Sequence, residues 1–80
     1  MIDDIYKDEN YKIRRLLGKE ILSMLSRKEM TQTEIAYLFK TNQPRVSHLL
    51  DGQFESFRID TLINYLIRLG VKVEISFHIE

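Results

Sequence analysis

The stretch Thr31 to Leu50, TQTEIAYLFKTNQPRVSHLL, carries two helix-start signals in close succession, and that leaves room for two short helices joined by a tight turn. Thr31 can accept a hydrogen bond from the backbone N–H of residue 34 while Glu34 reaches back to residue 31, a reciprocal capping box that fixes the first start. Ile35, Ala36, Leu38 and Phe39 then supply an apolar stripe, with the small Ala36 where a second helix can cross closely, and the helix is expected to end near Phe39. Asn42 is a good N-cap for the next helix, and Pro44 is tolerated in a first turn because no intrahelical N–H is needed there. Val46, Leu49 and Leu50 recur on one side of this second helix, leaving Gln43, Arg45, Ser47 and His48 on the other. The outward face carries donors and acceptors but no carboxylate.

Such a face suits a nucleic acid. Gln pairs with adenine, Arg forks onto guanine or holds a phosphate, and Ser or His serves either role. The motif resembles the xenobiotic-response-element family of helix-turn-helix proteins, which includes phage Cro and lambda-type repressors. The match runs through Gln32, Ala36, Val46, Leu49 and the QPRVS segment at 43–47. The resemblance implies that Gln32 opens a positioning helix touching the DNA backbone, that Ala36 is the small crossing residue, and that Val46 and Leu49 are buried. Two positions depart from the family pattern: Lys40 stands where a turn glycine is usual, and Thr41 where an apolar residue is usual. A left-handed backbone at Lys40 would cost more than at glycine.

Eighty residues make one domain with a modest core, so support from a partner is expected on size alone. Twelve basic and twelve acidic residues cancel, which excludes a protein that holds polyanions by bulk charge. The charges are unevenly spread, however. Asp3, Asp4, Asp8 and Glu9 crowd the start, whereas Lys12, Arg14, Arg15, Lys19, Arg27, Lys28, Lys40 and Arg45 populate the middle. Cysteine is absent, which removes disulfides and thiolate metal sites. No signal peptide or membrane span is visible, and a cytoplasmic location is the default expectation.

Residues 1–9 read as an acidic arm, either a frayed terminus or a segment that docks a basic partner through Ile2, Ile5 and Tyr6. From Asn10, a plausible cap, the spacing of Ile13, Leu16, Leu17, Ile21, Leu22, Met24 and Leu25 predicts a helix from about Tyr11 to Lys28. Gly18 weakens it slightly and leaves room for a close neighbour. After the two short helices Gly52 provides a left-handed cap, and Phe54 and Phe57 are expected to plug the core rather than stack on bases. Ile59, Leu62, Ile63, Leu66, Ile67 and Leu69 define a last helix, entered at Arg58 with Ser56 or Asp60 as candidate caps and closed at Gly70. Val71, Val73, Ile75, Phe77 and Ile79 then alternate with Lys72, Glu74, Ser76 and His78, which predicts a strand with one apolar face. A lone strand leaves its backbone groups unpaired. It therefore pairs either with the same strand of a second subunit, making a homodimer, or in a hairpin with residues 2–6.

The expected architecture is mainly α: a four-helix Cro/repressor-like domain over 10–70, with its motif at 31–50, and a β-strand over 71–80 that pairs between subunits. Gln43, Arg45, Ser47 and His48 are expected at bases or flanking phosphates, Gln32, Thr33 and Lys40 on the DNA backbone, and Asn42, between the two helices, is expected among the DNA-binding residues as well. The whole-chain layout, from the long first helix through TQTE and QPRVS to VKVEISF, looks like the HigA-type antitoxin branch. That resemblance implies a dimeric repressor of a near-palindromic operator which also neutralises a toxin protein. The alternatives are a stand-alone phage or bacterial regulator, and an interaction module of the same fold without independent DNA binding. For an enzyme the sequence offers little, with no phosphate-cradling glycine loop and no cysteine nucleophile. His48 and His78 lie in different elements with no carboxylate at ligand spacing, so neither a metal nor another cofactor is expected.

Overall fold

The computed structural model of the chain describes the backbone of residues 2–80 and the side chains from residue 7 onward. Four α-helices follow one another: α1 (Ile2–Ser26), α2 (Gln32–Phe39), α3 (Gln43–Leu50) and α4 (Ile59–Arg68), with a single 3-10 turn (Phe54–Ser56) between the last two. The first helix starts well before the residue expected to cap it. Asn10 lies inside α1, because nothing in the acidic run interrupts a helix. The docking role considered for Ile2, Ile5 and Tyr6 lies outside the described side chains. A hairpin between residues 2–6 and the C-terminal segment is ruled out by the helical backbone there.

Both short helices begin where the local chemistry requires. Thr31 Oγ1 accepts from Glu34 N at 3.2 Å, and Glu34 Oε1 accepts from Thr31 N at 2.8 Å. Asn42 Oδ1 accepts from Arg45 N at 2.9 Å, with Pro44 in the first turn. The hydrogen bond from the Thr31 backbone N–H, reinforced by the Thr31 hydroxyl, holds the Glu34 carboxyl below its ordinary value of 4.5. A depressed carboxylate stabilises the fold at neutral pH, and its contribution is lost as the pH falls through that lowered value. Loss of the N-cap oxygen in Thr31→Ala should cost about 1 kcal/mol in urea denaturation at neutral pH, and the difference from the parent should shrink on acidification. At the entrance to α4 the N-cap residue is Arg58, whose side chain makes no capping hydrogen bond. Ser56 Oγ donates instead to Gln53 O, and Asp60 Oδ1 accepts from Thr61 N inside the first turn.

The core gathers one stripe from each helix: Ile21 and Leu25; Ile35, Ala36 and Phe39; Val46 and Leu49; and Leu62, Tyr65, Leu66 and Leu69, with Phe54 and Phe57 filling between. Phe39 stacks on Tyr65 with centroids 4.2 Å apart, and Phe57 meets the same tyrosine edge-on at 6.2 Å. Tyr65 thus takes the core position expected of Ile67, which is exposed. The exchange follows from helical geometry: Tyr65 is one turn from both Leu62 and Leu69, while Ile67 sits beside the stripe. Leu50 is likewise more than a third exposed, and Ile13 and Leu16 face solvent although the spacing placed them in the core. Gly18 is buried under the Phe54 ring, the close crossing its missing side chain permits.

Residues 71–80 form no strand. Val71 and Val73 nevertheless pack against the core, while Ile75, Phe77 and Ile79 are exposed. A strand is defined by ladder hydrogen bonds to a neighbour, and among the described residues the single chain supplies none, so the segment keeps its alternation without a ladder.

Candidate nucleic-acid interface

The surface that carries the expected contacts is built on the α2–turn–α3 unit, whose two helices cross over Ala36, Val46 and Leu49, all buried. The turn depends on Lys40. Its backbone is left-handed (φ 55°, ψ 48°), and Lys40 N and Thr41 N donate to Tyr37 O and Ala36 O at 3.2 and 2.9 Å, which closes α2. Lysine accepts here the conformation that glycine usually takes, and the side chain it brings is exposed beside the start of α3. Lys40→Gly should raise stability by about 0.5–1 kcal/mol, the left-handed cost outweighing the extra freedom of the unfolded chain. Chemical denaturation of the two proteins measures this directly.

Across the turn, Gln43 Nε2 donates to Thr33 Oγ1 at 2.9 Å, an exposed bond that ties the first turn of α3 to that of α2. Gln32 is exposed at the start of α2, next to this pair. Asn42 spends its side-chain oxygen on the cap, which leaves its amide NH₂ as the free donor group. Ser47 is half-buried on α3. His48, exposed in the last turn of α3, pairs through Nδ1 with Gln53 Oε1 at 2.7 Å. The exposed Asp51 closes α3 just beyond, so the acid-free surface ends there.

Arg45 is placed differently from the sequence expectation. Its guanidinium lies 4.0 Å from the centroid of the Phe57 ring, and one of its terminal nitrogens donates to Ser56 O at 3.2 Å. Arg45 lies toward the flank of α3 that faces the 3-10 turn, and a cation over an aromatic face gains more there than in open water. Arg14 of α1 completes the arrangement by donating through Nε to Phe57 O at 2.7 Å. Two arginines therefore grip the segment 56–57 from different helices. Arg14 and Gln53 were not among the expected site residues. No periodicity could reveal Arg14, because its partner is 43 residues away in the sequence.

With the two helices, the left-handed turn and the capped entry to α3 in place, the match to a family model carries direct weight: residues 2–78 match the model described as a helix-turn-helix domain. The chain belongs to that family. In helix-turn-helix proteins the second helix of the motif, the counterpart of α3, lies in the major groove of DNA. No curated protein matches the chain. Among the described residues no cluster of His, Cys, Asp or Glu could hold a metal ion, and no helix is long and apolar enough to cross a membrane.

Proposed function

We propose that this helix-turn-helix protein is a sequence-specific, double-stranded DNA-binding transcriptional regulator, acting as a repressor and antitoxin in a toxin–antitoxin operon and binding a near-palindromic operator as a homodimer. The observation that carries the DNA-binding reading is the Gln43–Thr33 bond at the entry to α3, whose outward residues Gln43, Arg45, Ser47 and His48 include no carboxylate. It fixes the glutamine amide at the helix entry, where a base edge would meet it, with the backbone-positioning helix alongside. Gln43, Ser47 and His48 are assigned to bases or flanking phosphates, and Gln32, Thr33, Lys40 and Asn42 to the DNA backbone. Arg45 is assigned to a phosphate beside the groove, because its guanidinium is already held on the flank by Phe57 and Ser56.

The antitoxin part rests on the layout of the chain and on the solvent exposure of α1 over residues 7–13, where Glu55 of the 3-10 turn lies alongside. The protein is expected to work in the cytoplasm without a cofactor. A stand-alone regulator would share every DNA contact but lack the toxin.

Gel-shift titration against the region upstream of its own gene tests the reading. The expected result is a saturable complex on an inverted repeat with half-sites about one helical turn apart, weakening steeply as salt rises. Lys40→Gly should weaken all sequences alike and flatten the salt slope by about one, whereas Gln43→Ala should relax preference at one base position by about 1–3 kcal/mol. A folded dimer that leaves this DNA unshifted at low salt would favour an interaction module instead. Co-expression with the neighbouring gene of the operon then distinguishes antitoxin from stand-alone regulator, according to whether a stable complex co-purifies.

A further inference from the structure

Residues 71–74 lie in a shallow furrow lined by Leu16, Leu17, Glu20 and Leu66. Val71 and Val73 are half-buried in it, yet Leu16 remains 72% exposed at its mouth and Ile13 is exposed one turn away. Beyond the furrow Phe77 is 91% exposed. The polar side chains share the opposite face: Lys72 Nζ lies 3.5 Å from Glu74 Oε1, and Ser76 Oγ lies 3.5 Å from His78 Nε2. Contacts between residues two apart are those of an extended chain, so the odd-numbered apolar residues face together the other way.

The geometry points to one register for self-association: an antiparallel pair of these segments, related by a two-fold axis through Ser76. This rests on the homodimer proposed above and specifies how its surface is built. In that register Lys72 faces Glu80 of the partner subunit and Glu74 faces His78 of the partner subunit, each twice by symmetry. On the apolar side Val73 faces Ile79 of the partner subunit, and Ile75 faces Phe77 of the partner subunit. Opposite charges in direct cross-strand positions stabilise a ladder and like charges destabilise it.

The neighbouring registers fail by the same rule. An axis at Glu74 sets that carboxylate against its own copy, and one at Phe77 sets Glu74 against Glu80. An axis at Ile75 sets Lys72 against His78 and leaves Glu74 facing a serine. An axis at Val73 pairs Lys72 with Glu74 but leaves Phe77 and Ile79 unpaired. Any axis between two residues sets an apolar side chain opposite a polar one, which breaks the two-faced pattern. With the axis at Ser76, the partner's Phe77 and Ile79 join Val73 and Ile75 on the face toward α1, and cover Leu16 and Ile13.

The chain has no cysteine, so engineered cross-links read the register without background. Directly opposed residues of an antiparallel pair have Cα atoms about 4.5–5.5 Å apart, within disulfide reach, whereas two copies of residue 74 would be about 13 Å apart. The experiment combines light scattering on the unmodified full chain with oxidation of Ser76→Cys, Ile75→Cys and Glu74→Cys variants, read on non-reducing gels. A dimer in solution, with Ser76→Cys cross-linking at least tenfold faster than Glu74→Cys and clearly faster than Ile75→Cys, is expected. A dimer in which Glu74→Cys or Ile75→Cys reacts fastest would overturn the register while leaving the dimer intact. A monomer at all concentrations would overturn both. As a second readout, Lys72→Glu should raise the dimer dissociation constant about tenfold, and adding Glu80→Lys should recover most of that loss. Failure to recover it would also overturn the register.

Discussion

Phe57→Ala is expected to remove about 3–5 kcal/mol of stability, a large share of the roughly 4–12 kcal/mol available to a chain of this size. The ring is one of the largest fully buried side chains, and it meets Tyr65 edge-on on one side while carrying the Arg45 guanidinium on another. Truncation would open a cavity and remove the cation's aromatic support together. The expected thermal midpoint falls by at least about 12 °C, at about 4–8 °C for each kcal/mol in a domain of this length. Arg45→Met, which keeps a flexible apolar chain over the ring, should lose about 1 kcal/mol only. If the two variants proved equally destabilised, the arginine rather than the ring would be holding the segment at 56–57.

Gly18→Ala should also destabilise, against the usual trend for a helix interior. Alanine favours a helix over glycine by about 1 kcal/mol, but a Cβ at this position would fall within the Phe54 ring, including its inner carbon. Overpacking of a filled core costs about 1–3 kcal/mol, and the ring cannot swing clear because Phe54 is itself buried. The net loss is expected at about 1–2 kcal/mol by denaturant titration. Combining the change with Phe54→Leu should be less damaging than the sum of the two single changes, since each relieves the other. A rise in stability for Gly18→Ala alone would mean that the α1 contact with the 3-10 turn is looser than it stands here.

These two residues also show what the sequence makes legible. The entries to α2 and α3 are encoded within four residues of chain, in Thr31 with Glu34 and in Asn42 with Arg45, and were readable because each cap is a local hydrogen bond. Helical period set Val46, Leu49 and Leu50 on one side of α3, and of these Val46 and Leu49 are buried while Leu50 is more than a third exposed. The placement of Arg45 did not follow from period, because its position on α3 lies between the buried and outward faces and only the 3-10 turn decides which way the guanidinium goes. The true start of α1 was hidden by Asn10, a good cap in the abstract that has no reason to stop a helix already begun. Alternation over 71–79 was plain in the sequence, yet whether it forms a ladder depends on hydrogen bonds that one chain cannot make with itself.

At about 1.5 Å per residue, the 25 residues of α1 run about 37 Å, nearly the 41 Å long dimension of the whole molecule. Its apolar anchorage falls in the second half, at Ile21 and Leu25, while residues 7–13 are exposed and meet only the edge of the 3-10 turn at Glu55 among the described residues. Those turns are held mainly by the helix ladder itself, and stretches of that length are marginal without tertiary support. One continuous helix therefore spans a gradient of opening free energies, low at the exposed turns and rising to the global value where the core grips it. Amide protons should exchange in order along α1, fastest near residue 7 and slowest near Leu25. A protein that took hold of the exposed turns would set the folding equilibrium of that half alone, leaving the other four elements undisturbed.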